Sequence, residues 1–155
     1  MSARGAVLAE EVDAPKVIDG RYRVEGEIAR GSMGAVFAVV DLTTGRRVAL
    51  KRQLGTRKSL LRMFEREYHT LVGLKHPRII EVYDYGIDAE GPYYTMELLD
   101  GSDLRERAPM DYREACRYLR DVASSLGLLH ARRLLHRDLS PRNVRVTADG
   151  RCKLI

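Results

Sequence analysis

The sequence predicts an α+β fold: an antiparallel sheet of five strands carrying one helix, followed after a break at Asp100-Gly101-Ser102 by a unit built on one long helix. Three observations predict it. Short apolar and alternating segments recur through the first hundred residues with turn residues between them. Residues 58–74 switch to a helical period, with Leu60, Leu61, Phe64, Tyr68 and Leu71 three and four apart. A second helical period runs through Tyr112, Ala115, Cys116, Leu119, Val122, Ala123, Leu126 and Leu129, which are expected to share one face, with part of its apolar surface left exposed.

In order, residues 1–20 show no sustained period and are expected to be a flexible leader, punctuated by Pro15 and Gly20. Tyr22, Val24 and Ile28 mark a first strand, Ala35 to Asp41 a second, and Arg47 to Arg52 a third beyond the Thr43-Thr44-Gly45 turn. After the first helix, Pro77 halts helical geometry at its predecessor. Ile79 to Tyr85 and Pro92 to Leu98 read as two further strands, joined by a hairpin-like loop from Gly86 to Gly91. A short helical segment is expected over Asp103 to Arg107. Asp111 and Glu114 then form a start resembling a capping box, each side chain satisfying an orphan amide of the long helix.

Bulk properties narrow the function. The 155 residues carry 45% hydrophobic and 32% charged side chains, the balance of a globular chain and not of a disordered one. The longest apolar run, Ala35 to Val40, falls far short of the ~20 residues of a membrane-crossing helix, and the N-terminus lacks a signal-peptide core. No membrane span and a cytoplasmic location are expected. The net charge of +5 comes from arginines spread evenly among acids, without a basic block interleaved with aromatics, so no nucleic-acid partner is expected. Cys116 and Cys152 have no partner at metal-site spacing and read as reduced, structural residues.

The residues that point to chemistry lie in one order along the chain. Ala29-Arg30-Gly31-Ser32-Met33-Gly34-Ala35-Val36 places two glycines between strands. They serve a hairpin or let the backbone approach an anion without a Cβ in the way. In Val48-Ala49-Leu50-Lys51 the strand period puts Ala49 and Lys51 on one face. Glu67, three residues after Phe64 and four before Leu71, falls on or beside the apolar face of the first helix. An acid there calls for a cation, and Lys51 is the natural one. His136-Arg137-Asp138 and Asn143 follow near the end.

This order resembles that of the eukaryotic-type serine/threonine protein kinases, in bacterial form, over about residues 22–155. The resemblance implies the protein-kinase fold, with an antiparallel N-lobe sheet and its helix over 21–99, the hinge included, and part of a mostly helical C-lobe over 100–155. It implies transfer of phosphate from ATP, with Mg2+, to a hydroxyl of a protein substrate. By resemblance, Asp138 is the catalytic base, and Lys51, paired with Glu67, reaches the α- and β-phosphates. Ala29, Gly31 and Gly34 cover the phosphates, Val36 and Ala49 face the adenine, and Asn143 ligates a metal ion. Met96 is the gatekeeper, although plain core filling describes its packing equally well. Glu97 to Leu99 offer backbone groups to the adenine edge, and Asp103 either reaches the ribose or closes a turn. His136 holds the loop from beneath, and Arg137 resembles the cation of kinases controlled by phosphorylation.

Two positions depart from the family pattern: Ala29 stands for the first glycine, and Ser140 for a lysine that stabilises the transferring phosphate. The sequence ends at Cys152-Lys153-Leu154-Ile155, where the resemblance places Asp-Phe-Gly next. A truncated domain, inactive alone, is therefore the expectation. The alternative is a pseudokinase, binding nucleotide or acting as a scaffold.

Overall fold

The computed structural model describes residues 16–31 and 34–155. The first sheet contains β1 (Val17–Ile18), β2 (Tyr22–Arg30), β3 (Gly34–Asp41), β4 (Arg47–Gln53), β5 (Val82–Asp88) and β6 (Gly91–Met96), in the spatial order β1-β2-β3-β4-β6-β5. Every pairing in it is antiparallel. Helix α1 (Lys58–Val72) lies against it.

One face of the sheet buries Ile18, Tyr22, Val39, Val48, Leu50 and Tyr93. The other packs Tyr94 and Val82 against Phe64 of α1. At roughly 25 cal/mol per Å2 of apolar surface removed from water, such clusters supply the main drive for the α1–sheet contact.

The second unit has a three-stranded sheet of β7 (Ser102–Asp103), β8 (Val144–Val146) and β9 (Cys152–Leu154), with α2 (Tyr112–Ala131) packed on β9. Its core joins Tyr118, Val122 and Leu129 to Val144, Val146, Cys152 and Leu154. Leu74 and Ile79, from the stretch between α1 and β5, enter the same core. Ile80 N–H donates to Leu154 O and Leu154 N–H to Arg78 O, so β9 is stitched to the segment entering the first sheet.

Several sequence expectations are corrected. The leader assigned to 1–20 includes β1: Ile18 is buried, and Val17 and Ile18 pair with Arg23 and Tyr22, which makes the sheet six-stranded. Residues 1–15 of that leader lie outside the described residues. The fourth strand starts at Val82, because Ile79 bridges to Leu154 of the second unit. The hairpin expected over 86–91 is present but tighter, with pairing that continues to Asp88 and Gly91; Asp88 Oδ1 accepts from Glu90 N–H and closes the turn.

Residues 104–107 form hydrogen-bonded turns instead of a helix, and Asp103 lies in β7. Asp111 caps α2 by accepting from Arg113 N–H. Glu114 completes no box, because its carboxylate is taken by Arg107 and Tyr118. The buried line of α2 is Tyr118, Asp121, Val122, Ser125 and Leu129, while Tyr112, Cys116, Leu119 and Ala123 face outward. Asp121 is buried with Arg78 at 3.1 Å, and Ser125 Oγ donates to Arg78 O, so polar partners decide which side of the helix turns in. Cys152 is a core residue as expected, but Cys116 is exposed. No described helix is long and apolar enough to cross a membrane.

Candidate active site

Register brings the first group of residues together. Val36 pairs with Lys51, Ala49 with Met96, and Lys51 with Tyr94, so Val36, Ala49, Lys51, Tyr94 and Met96 share one face of β3, β4 and β6. Ala49 is buried and Met96 half-buried, packed toward Phe64, Val82 and Tyr94. Lys51 Nζ lies 2.6 Å from Glu67 Oε1, so α1 presents the acid that helical spacing placed beside its apolar face. The same Oε1 accepts a hydrogen bond of 2.7 Å from the Tyr94 hydroxyl. Sequence reasoning missed Tyr94. Its place opposite Lys51 follows from the register of β4 on β6, which no sequence period gives.

The glycine segment is held at its base. Ala29 pairs with Val36 and Arg30 with Ala35, and Gly31 N–H donates to Gly34 O at 2.9 Å. Ser32 and Met33 lie outside the described residues. The two glycines differ in what requires them. A Cβ on Gly34 would stand 2.6 Å from Arg52 O, so close packing of β3 on β4 demands glycine there; at Gly31 a Cβ would meet nothing among the described residues.

The stretch after β6 also has its own geometry. Glu97 N–H is used by Glu81 O, and the Glu97 side chain by Lys153 Nζ at 2.5 Å. Glu97 C=O and Leu99 N–H take no hydrogen bond among the described residues, which leaves one acceptor and one donor two residues apart. Asp103 Oδ1 accepts from Glu106 N–H while Glu106 Oε2 accepts from Asp103 N–H, a reciprocal turn that accounts for this acid without a ligand. A recess of about 400 Å3 between this stretch and the 147–153 hairpin has Glu97, Asp149, Arg151 and Lys153 among its walls; these are already paired, and it excludes Lys51, Ala49 and Asp138.

The second group sits in the loop between α2 and β8. Asn143 Nδ2 donates to Asp138 O at 2.7 Å and to Asp138 Oδ2 at 2.9 Å. Asp138 is exposed, and Asn143 closes a single 3-10 turn over Pro141–Asn143. His136 supports the loop: Asp138 N–H points at its Nδ1, which puts the proton on Nε2, facing Ile155 O at 3.1 Å. Ile155 N–H donates to Asn143 O, so β9 and the loop brace each other. Arg137 has φ +64°, a left-handed backbone that costs about 1–2 kcal/mol for a residue with a side chain and is held here by these bonds.

The geometry thus assembles two groups, a lysine–glutamate pair between β4 and α1 and a carboxylate–amide pair on a separate loop. A family model described as the protein kinase domain matches residues 22–155. The chain belongs to the protein kinase family. It is 36% identical over 149 residues to the serine/threonine-protein kinase PknA of Mycobacterium tuberculosis, covering 88% of this chain and 35% of that protein. It is 36% identical over 146 residues to the serine/threonine-protein kinase PknL of the same species, covering 89% and 36%. Against the serine/threonine-protein kinase pkn2 of Myxococcus xanthus it is 30% identical over 141 residues, covering 87% and 17%. The chain therefore spans about a third of the length of the first two relatives. The α+β kinase fold expected from the sequence agrees with this match.

As for a metal, the described residues hold no group of three or more His, Cys, Asp or Glu side chains that could bind one. They do hold one free amide oxygen, Asn143 Oδ1, beside the Asp138 carboxylate, since the Asn143 amide nitrogen makes both recorded bonds of that side chain. That amide oxygen fits one ligand position of a hard cation such as Mg2+.

Proposed function

We propose that this chain carries the nucleotide cradle and the catalytic loop of a serine/threonine protein kinase that moves the γ-phosphate of ATP to a hydroxyl of a protein substrate. The observation that carries the reading is the Lys51–Glu67 pair at 2.6 Å on the sheet face shared with Ala49 and Met96. A cation held there is placed to meet the α- and β-phosphates of a nucleotide whose base lies against Val36, Ala49 and Met96. Glu97 C=O and Leu99 N–H match the donor and acceptor of an adenine edge. Ala29, Gly31 and Gly34 lie over the phosphates, and Asp103, although engaged in its turn, is the acid that the family resemblance assigns to the ribose.

Asp138 then accepts the proton of the attacking hydroxyl. Asn143 orients that carboxylate through Nδ2, and its Oδ1 would be the ligand offered to Mg2+, which would supply neutralisation of charge on the phosphates. The kinase reading is favoured over a non-catalytic scaffold because the lysine–glutamate and aspartate–asparagine pairs are both intact. Residues 21–99 would act as the nucleotide-holding lobe and 100–155 as the start of the substrate-facing one.

The test has two arms. Titration of the chain with MgATP is expected to show saturable binding, weakened about tenfold or more in Lys51→Met by loss of a charge-assisted contact. Phosphoryl transfer by the whole protein is expected to fall about 10²- to 10⁴-fold in Asp138→Asn, the usual worth of a positioned general base. Binding indifferent to Lys51, or transfer indifferent to Asp138, overturns the proposal.

A further inference from the structure

We propose that Tyr94 is a positioning residue for Lys51: its hydroxyl holds Glu67 in the orientation that receives the lysine and so keeps α1 seated on the sheet. The geometry behind this is independent of any nucleotide; only its consequence for ATP rests on the function proposed above.

The Lys51–Glu67 pair is open to water, with side-chain exposures of 27% and 41%. An ion pair so exposed is weak by itself, because water screens it and both flexible side chains lose freedom to make it. Tyr94 is of a different kind. It is 1% exposed, lies opposite Lys51 in the register of β4 and β6, and has its ring against Phe64 at 5.0 Å and Tyr68 at 6.0 Å, both on α1. A buried ring packed on two aromatic rings of α1 delivers its hydroxyl to one place, and there it donates at 2.7 Å to Glu67 Oε1, the oxygen that also takes Lys51.

The bond also works in the other direction. Glu67 is the only recorded hydrogen-bond partner of the Tyr94 hydroxyl among the described residues. If the Glu67 carboxylate were lost while α1 stayed in place, the phenol would be left unsatisfied and buried among Phe64, Val82 and Met96, which is unfavourable. Burial, reinforced by the negative charge of Glu67, pushes the Tyr94 phenol far above its ordinary range, so it remains a donor at any working pH. The hydroxyl thus couples the seating of a helix to the placing of one ammonium group.

The test reads Lys51 directly, without nucleotide. The chain is trace-acetylated with an N-hydroxysuccinimide ester, and Lys51 modification is measured by peptide mass spectrometry against the exposed Lys75 as internal reference. In Tyr94→Phe, Lys51 is expected to react about three- to tenfold faster, the factor carried by the net worth of one ordinary hydrogen bond. Tyr68→Phe removes a hydroxyl from the same aromatic cluster, one that donates to Tyr83 O, and is expected to leave the rate unchanged. In a Glu67→Ala background, adding Tyr94→Phe is expected to change nothing further.

An unchanged rate in Tyr94→Phe, an equal rise in Tyr68→Phe, or a full additive rise in the Glu67→Ala background overturns the proposal. MgATP affinity of Tyr94→Phe is expected to fall by a similar factor. Absence of nucleotide binding in the unmodified chain would refute the kinase reading of this site, while the acetylation rates still decide the role of Tyr94.

Discussion

Lys153 of β9 donates to Glu97 Oε2 at 2.5 Å and so ties the second unit to the stretch that leaves β6. Both side chains are mostly buried, at 17% and 27% exposure, so loss of either leaves a poorly solvated charge behind. Lys153→Met is expected to cost about 1–2 kcal/mol of stability, and a Lys153→Met, Glu97→Gln double variant to recover part of it. Urea midpoints of the unmodified chain, Lys153→Met, Glu97→Gln and the double variant check this; strict additivity would show that the pair is not coupled.

Gly34 is expected to tolerate no side chain, because a Cβ would press on Arg52 O at 2.6 Å. Gly34→Ala should lower stability by about 1–3 kcal/mol, the usual effect of overpacking. At this chain length that lowers the melting temperature by roughly 2–4 °C per kcal/mol. Gly31→Ala, with open space around its Cβ, is the control and should melt close to the unmodified chain.

Acid stability should depend on Asp41. The Arg21 guanidinium grips its carboxylate at 2.8 and 2.9 Å, Thr43 N–H and the Thr44 hydroxyl add two further bonds, and together they hold it well below the usual carboxylate range. A carboxylate depressed in the folded state contributes stability that is fully present above its unfolded value, about 3.9, and is lost as pH falls below that toward the folded value. Asp41→Asn is thus expected to be less stable than the unmodified chain at pH 7, with the gap shrinking below about pH 4. Denaturant titrations at a series of pH values measure it, and a gap that widens in acid would contradict the argument.

The two thiols should separate cleanly. Cys116 is exposed on α2, whereas burial pushes the Cys152 thiol up to about 11. Only the thiolate is the nucleophile, so a disulfide reagent at pH 8 is expected to react promptly with Cys116 alone and with both thiols after denaturation. Two fast-reacting thiols in the folded chain would place β9 outside the core described here.

Much of the candidate site was legible because it rests on local periods. The alternation of a strand puts Ala49 and Lys51 on one face, and the helical spacing of Phe64, Glu67 and Leu71 turns an acid toward the sheet; neither needs knowledge of what lies opposite. The linear order of glycine segment, Lys51, Glu67, His136-Arg137-Asp138 and Asn143 then marks the family. What stayed hidden depends on partners distant in sequence. Two residues at 17–18 are too few to show a period, and only pairing with Tyr22 and Arg23 makes them a strand.

The apolar positions of α2 do form a stripe, but which edge of it is buried was decided by β9 and by Arg78. The arginine draws Asp121 and Ser125 inward, and Leu119 is left in water. Glu97 meets Lys153 across 56 residues and Tyr94 meets Glu67 across 27, contacts that no sequence period encodes. The chain by itself therefore determined which residues carry charge and which face of each local element they occupy. Only the tertiary structure decided which charges meet, because strand register and helix seating are set by packing of the whole core, and a displacement of one strand position would turn each of these side chains to the opposite face.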